Sequence, residues 1–231
     1  TTRLVGSEMC IRDRDYRNEA LEATLELQQG RRGYRALWRH IMEVSVADLK
    51  KNYEKLHVDF DLWKGEADAD PYIPDMVAYL KDNGYAYLDQ GALVVDVKEE
   101  SDAKEIHPCM ILKSDGASLY NTTDLATIVQ RMEDYHPDEM IYVVDKRQEL
   151  HFIQVFRCAK KAKLTEENTG LAFVGFGTMN GKDGKPFKTR EGGVMRLERL
   201  INEINEEMYK KIVENRSVKG DDAKKTAEMV G

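Results

Sequence analysis

The sequence predicts an α/β fold in which helices cover a parallel sheet. Two short apolar runs, residues 140–144 (MIYVV) and 171–176 (LAFVGF), have the composition of strands buried on both faces. An amphipathic segment separates them, and a longer one follows the second run. The order strand, helix, strand, loop, helix is typical of parallel strands joined by crossover helices.

Composition and charge exclude several classes of protein. The chain has 231 residues, of which 42% are hydrophobic and 33% charged, as in globular domains with a sizeable core. A net charge of −7 argues against a protein that coats nucleic acid through bulk charge. The three cysteines and five histidines show neither C-x-x-C nor H-E-x-x-H spacing, so no metal site is predicted. No apolar run is long enough to span a membrane and no signal peptide is visible, which predicts a cytoplasmic protein.

The N-terminal quarter is expected to be mostly helical. Residues 1–14 show no amphipathic period, and we interpret them as a leader that is foreign to the fold. Between residues 16 and 56, apolar side chains recur at near-helical spacing. This pattern predicts two helices, with breaks at Gly30 and Gly33.

A small α/β region is predicted next, and it completes the segment 15–118. Residues 59–74 are expected to form a loop, because two prolines interrupt them. Residues 74–84 predict a short helix, and alternation across 85–97 predicts a β-hairpin. A polar turn at 113–116 ends this region.

The segment 119–216 is predicted to hold the parallel sheet. One helix is expected to begin near Thr122, where residues that favour helix N-caps cluster. A loop rich in glycine and lysine spans 177–193, and a long amphipathic helix begins near Leu197. We interpret residues 217–231 as the truncated start of a further helical domain.

The glycine- and lysine-rich loop is the first candidate for chemistry. In an open α/β sheet, ligands bind at the carboxyl ends of the strands, and this loop directly follows such an end. Its lysines can reach phosphate oxygens. It is not a Walker A loop, because Gly181 and Lys182 are followed by Asp183 instead of Ser or Thr. Composition alone leaves two interpretations open, a phosphate-binding loop and a solvated basic loop.

Four ordered motifs lie between residues 15 and 216. They are GFGTMNGKDGKPFKTREGGVMRLERLI, SDGASLYNTTDLATIVQR, IYVVDKRQELHFIQVFR, and DLWKGEADADPYIP with the GALVVDV hairpin. The first resembles the second signature region of arginyl-tRNA synthetase, a class I aminoacyl-tRNA synthetase, and the others resemble further segments of that catalytic domain. The resemblance implies the second half of a Rossmann-like fold, with helical segments and a small β-hairpin insertion.

The resemblance also implies a reaction. ATP, accompanied by Mg²⁺, condenses with arginine to arginyl-adenylate, and the arginyl group then passes to tRNA(Arg). Charge builds on the departing pyrophosphate, so positioning and preplaced cations supply most of the catalysis. The family pattern further implies a monomer when the protein is full length.

Matching positions give the expected site residues. The KMSKS-like loop of the family corresponds to the cations predicted to be catalytic, Lys185, Lys188 and Arg190. The predicted arginine-binding residues are Tyr120, Asp124 and Gln148. The predicted ATP-binding residues are His151, Phe176, Gly177 and Lys182.

Asp124 has a physical rationale as the residue that selects arginine. A guanidinium is planar and always charged, and it calls for an anion with matching fork geometry. Tyr120 lies four residues earlier, so the two share one side of a helix only if that helix begins by Tyr120. Without the family match, Asp124 would be interpreted as a residue of the first helical turn, where the helix dipole favours a negative charge.

Two other functions remain open at this stage. The chain lacks an H-x-G-H stretch, the first signature of the family, so we expect this polypeptide alone to have little or no aminoacylation activity. The alternatives are a related class I synthetase for another amino acid and a non-catalytic α/β domain that binds nucleotide or RNA.

Overall fold

The computed structural model describes residues 14–178, 180, 184, 196–214 and 221–230. The chain folds as two units, one made of Thr1–Asp61 and Gly181–Gly231 and the other of Leu62–Asn180. The helices and strands, in chain order, are α1 (Arg14–Gln28), α2 (Arg32–Lys55), α3 (Ile73–Asp82), β1 (Ala86–Asp89), β2 (Ala92–Val95), β3 (Cys109–Leu112), α4 (Tyr120–Tyr135), β4 (Glu139–Asp145), α5 (Glu149–Lys161), β5 (Gly170–Phe176), α6 (Leu197–Glu214) and α7 (Asp221–Val230). None of the described helices is both long and apolar enough to cross a membrane.

In the unit that contains both ends of the chain, the described secondary-structure elements are all helices. Gly30 separates α1 from α2 with a φ of +85°, a left-handed conformation that favours glycine. The predicted second break at Gly33 is wrong, because Gly33 lies in the first turn of α2 and one left-handed residue suffices for the turn. The long helix predicted near Leu197 is confirmed as α6.

The Leu62–Asn180 unit contains a three-stranded antiparallel sheet in the order β1-β2-β3. The predicted hairpin is confirmed, and its two-residue turn places Gln90 and Gly91 at positive φ, as in a type I′ turn. The predicted loop at 59–74 is wrong in part, because Glu66–Tyr72 forms a 3₁₀ helix. The Asp68 carboxylate accepts a 2.6 Å hydrogen bond from the Gly65 amide and so caps this helix.

Strands β4 and β5 form a parallel pair, as predicted, with Glu139 opposite Gly170 and Asp145 opposite Phe176. The expectation that both strands are buried on both faces is wrong. Ile141 and Val143 are 56% and 63% exposed, whereas Met140 and Tyr142 on the other face of β4 are buried. An apolar sequence shows that a strand is hydrophobic, but its burial depends on whether other elements pack against one face of the sheet or against both.

The buried face of β4 packs on α5. The Tyr142 ring lies 5.0 Å from the Phe152 ring and 5.2 Å from the Phe156 ring, measured between centroids. On the neighbouring helix α4, Leu125 and Ile128 are fully buried in the same core. This packing holds the first turns of α4 and α5 beside the carboxyl end of β4.

Candidate functional site

A cavity of about 910 Å³ lies within the Leu62–Asn180 unit, beside the first turns of α4 and α5. Four of the predicted site residues line it: Tyr120, Asp124, Gln148 and His151. The structure therefore brings together all three residues predicted to bind arginine, together with one residue predicted to bind ATP.

The start of α4 explains how Tyr120 and Asp124 come to share the cavity. The helix begins at Tyr120, two residues before its predicted start, so both side chains project from one face. Thr122 lies inside the first turn, where its Oγ1 accepts a 3.0 Å hydrogen bond from the Leu119 amide. The same hydroxyl donates a 2.6 Å hydrogen bond to the carbonyl oxygen of Ile111 on β3.

Asp124 is held by a neighbour on α5. The His151 Nε2–H donates to Asp124 Oδ2 across 2.5 Å, since a carboxylate oxygen can only accept. Both side chains are partly buried, at 25% exposure for Asp124 and 22% for His151. His151 was predicted to bind ATP, and the structure places it directly against the carboxylate predicted to bind arginine. Its ATP contact stays a prediction.

Gln148 reaches the cavity through a short 3₁₀ turn, Lys146–Gln148, that directly follows β4. Asp145 fixes this turn, because its carboxylate accepts from the Arg147 amide at 2.8 Å and from the Arg147 guanidinium at 2.9 and 2.7 Å. These hydrogen bonds to Arg147 hold the pKa of the Asp145 carboxyl below its usual range. The turn thus carries Gln148 from the end of the sheet to the cavity wall.

Glu66 is a second carboxylate on the cavity that the sequence analysis missed. It stands at the first position of the 3₁₀ helix, inside the DLWKGEADADPYIP motif that was interpreted as a loop. Partial burial, together with the negative charges of Asp124 and Asp70, raises the pKa of the Glu66 carboxyl. The resemblance of this motif to a family segment was the signal that could have indicated Glu66 as a site residue.

Cations and aromatic rings also line the cavity. Lys64 donates a 2.7 Å hydrogen bond to Asp134 and lies 5.1 Å from the centre of the Tyr135 ring. The Arg131 guanidinium lies over the Tyr142 ring at 4.9 Å. The Tyr142 hydroxyl is buried without a hydrogen-bond partner among the described residues, and burial raises its pKa.

The remaining predicted residues lie elsewhere. Phe176 ends β5, opposite Asp145 in register, and Gly177 follows it. Neither is among the described residues that line the cavity. The four predicted cations of the loop fall outside the described residues: Lys182, Lys185, Lys188 and Arg190. Within the described ranges, no group of three or more His, Cys, Asp or Glu side chains could hold a metal ion.

Comparison with known proteins identifies the family of this chain. The family model of the catalytic domain of class I tRNA synthetases (R) matches residues 7–231. The chain is 63% identical over 207 residues to the arginine–tRNA ligase of Agathobacter rectalis, covering 90% of this chain and 35% of that protein. It is 58% identical over 226 residues to the arginine–tRNA ligase of Alkaliphilus oremlandii, covering 98% of this chain and 38% of that protein.

A solved structure shows the same fold. The crystal structure of arginyl-tRNA synthetase from Plasmodium falciparum superimposes with a TM-score of 0.74 at 22% identity, over 93% of this chain and 35% of that chain. The fold is thus that of a class I aminoacyl-tRNA synthetase catalytic domain. The chain belongs to the arginine-specific family of these catalytic domains, and it spans little more than a third of the length of the curated relatives described above.

Proposed function

We propose that this chain forms the arginine-binding part of an arginine–tRNA ligase, which activates arginine with ATP and transfers it to tRNA(Arg). The observation that supports this proposal is the shared cavity of Tyr120, Asp124 and Gln148. These are the residues that the family resemblance assigns to arginine, and they come from two separate parts of the chain.

The charge of the cavity suits a guanidinium. Asp124 and Glu66 both line it, and a planar cation with several donors can bond two carboxylates at once. Tyr120 and Gln148 supply neutral hydrogen-bonding groups for the rest of the amino acid. A ligand of the same shape without the positive charge would leave the two carboxylates uncompensated, so it would bind more weakly.

In the proposed reaction, the arginine carboxylate attacks the α-phosphorus of ATP and pyrophosphate departs. Lys185, Lys188 and Arg190 are proposed to neutralise the charge that builds on the leaving group. The proposed ATP contacts are His151, Phe176, Gly177 and Lys182. Mg²⁺ arrives bound to ATP, and the full-length enzyme acts as a cytoplasmic monomer.

A calorimetric titration of the full chain tests the arginine assignment. We expect L-arginine to bind and L-citrulline, its neutral isostere, to bind at least about tenfold more weakly, since a buried ionic hydrogen bond contributes about 1.5–3 kcal/mol. Asp124→Asn should abolish this preference. Asp75→Asn removes an exposed carboxylate at the start of α3, outside the cavity, and should leave both affinities unchanged. Equal binding of the two ligands by the unmodified chain would contradict the proposal.

A further inference from the structure

The first half of α2 concentrates positive charge that the arginine assignment does not use. Residues 27–42 contain four arginines and no Asp or Glu, in a chain whose net charge is −7. Arg31 pairs with Glu26 on α1. The first turn of α2 contains no acidic residue, so the positive end of the helix dipole adds to the charge of the arginines. This end of the helix is therefore a local basic patch on an acidic protein.

The other three arginines form one row along α2, which we call the arginine stripe: Arg32, Arg35 and Arg39. Their spacing of three and then four residues places them on one face of the helix, over about 10 Å at 1.5 Å per residue. Arg32 and Arg39 are exposed, and Arg35 is half-buried. Within the part of the chain that the structure describes, none of the three has a carboxylate partner.

Contacts within the helix hold two members of the stripe in place. The Arg35 guanidinium lies over the Trp38 ring, 5.7 Å from its centroid. Arg39 Nε donates a 3.4 Å hydrogen bond to the Arg35 carbonyl oxygen. A guanidinium that is already ordered loses less side-chain entropy when it binds an anion. Neither contact cancels a charge, and both guanidinium groups keep N–H donors for an external anion.

We propose that the arginine stripe binds the phosphate backbone of tRNA. This inference rests on the proposed function, which supplies the RNA substrate, and it gives the RNA a contact surface outside the arginine-binding cavity. A guanidinium is always charged in proteins and bonds phosphate oxygens through two parallel N–H donors. Three such groups in a row match successive phosphates of a nucleic-acid strand, whereas a single small anion would engage only one or two of them.

An anionic membrane surface is the other extended polyanion to consider. Three apolar side chains in this part of α2 are more than half exposed: Leu37, Ile41 and Val44. At 100° per residue, they lie on the side of the helix opposite to the arginine stripe. A helix that buries its apolar face in the plane of a membrane directs the centre of its polar face towards water, which is where the stripe would lie. The arrangement therefore favours RNA.

The test measures binding of a tRNA(Arg) transcript to the full chain by fluorescence anisotropy at several salt concentrations. The glutamine variant combines Arg32→Gln, Arg35→Gln and Arg39→Gln, and glutamine is also a good helix former. We expect this variant to bind tRNA at least about tenfold more weakly. The slope of log K against log salt should become about 2–3 smaller, because each phosphate contact contributes roughly 0.7–0.9 to it.

Two further variants separate a contact from a change in net charge or in folding. The control variant removes the same charge from three exposed lysines elsewhere, Lys81→Gln, Lys104→Gln and Lys113→Gln, and should keep most of the affinity and the salt slope. The charge-retaining variant, with lysine at all three positions of the stripe, should keep most of the salt slope because the phosphate attraction is retained. Circular dichroism of each variant shows whether its helices are retained.

Unchanged tRNA binding by the glutamine variant, or an equal loss in the control variant, would overturn this inference. Binding to phosphatidylserine vesicles that depends on the stripe, with tRNA binding that does not, would also overturn it. Calorimetry with L-arginine keeps the two proposals apart, because the stripe and the cavity belong to different units of the chain. The glutamine variant should bind L-arginine as the unmodified chain does, whereas absence of arginine binding by the unmodified chain would overturn the proposed function.

Discussion

Thr122 and Ile111 join the first turn of α4 to strand β3, through a 2.6 Å hydrogen bond from the Thr122 hydroxyl to the Ile111 carbonyl oxygen. Both residues are fully buried. The bond sets where α4 begins, and that start places Tyr120 and Asp124 on one face of the helix. The geometry of the cavity thus depends on a residue that does not line it.

Replacement of Thr122 by valine tests this anchor. Valine has nearly the same shape but leaves the buried Ile111 carbonyl unsatisfied, which costs about 1–3 kcal/mol of unfolding free energy. Urea denaturation measures the loss, and arginine affinity should fall with it. Thr123→Val is the control, since Thr123 Oγ1 donates to the nearby Tyr120 carbonyl in an exposed position, and it should lower stability less. Equal stability losses in the two variants would contradict the anchoring role.

The ion pair of Asp102 and Arg157 predicts a pH dependence of stability. The Arg157 guanidinium bonds both carboxylate oxygens of Asp102, at 2.8 and 2.7 Å, and these bonds hold the pKa of Asp102 below its ordinary value. A depressed folded-state pKa gives stability that is present above the unfolded-state pKa of about 4 and lost as pH falls through the folded-state value. Asp102→Asn should therefore lower the urea midpoint at neutral pH, with the difference closing in acid.

The matched control for this pair is Asp145→Asn. Asp145 also pairs with an arginine, but its partner Arg147 is 69% exposed, and exposed pairs contribute little to stability. The urea midpoint of this variant should change less than that of Asp102→Asn. A difference between Asp102→Asn and the unmodified chain that persists unchanged in acid would show that the ion pair is not its source.

Gly175 predicts a steric constraint between β5 and the turn that carries Gln148. A methyl group added there would lie 2.9 Å from the Phe173 ring and 3.1 Å from the Lys146 Cα. The ring can rotate, but the backbone of Lys146 must shift, so Gly175→Ala should cost about 1–3 kcal/mol and weaken arginine binding. Urea denaturation and calorimetry measure the two effects. Gly177→Ala, whose added methyl would meet nothing within 4 Å among the described residues, should leave stability unchanged, and a similar loss there would refute the steric explanation.

Elements with a local cause could be predicted from the sequence. The β1–β2 hairpin follows from alternation and a turn at Gln90 and Gly91, and α6 follows from its apolar period. The 3₁₀ helix Glu66–Tyr72 was missed because part of its support comes from far along the chain, where Gln130 Nε2 donates to the Asp68 carbonyl at 3.4 Å. No pattern within residues 59–74 reports that contact.

Some of the residues that line the cavity could be predicted from the sequence, but the contacts between them could not. Family motifs indicated Tyr120, Asp124 and Gln148, and all three line one cavity. The contact between Asp124 and His151 depends on how α4 packs against α5, so neither residue's own segment reveals it. The exposure of Ile141 could not be predicted from composition either. Whether a strand residue is buried depends on what packs against its face of the sheet, which the composition of the strand does not determine.

The most direct test of the central claim is a crystal structure of the chain in complex with L-arginine. The account predicts that the guanidinium lies in the cavity within hydrogen-bond distance of the Asp124 carboxylate, with Gln148 beside the bound amino acid. Arginine bound outside the cavity, or bound with its guanidinium turned away from Asp124, would contradict it.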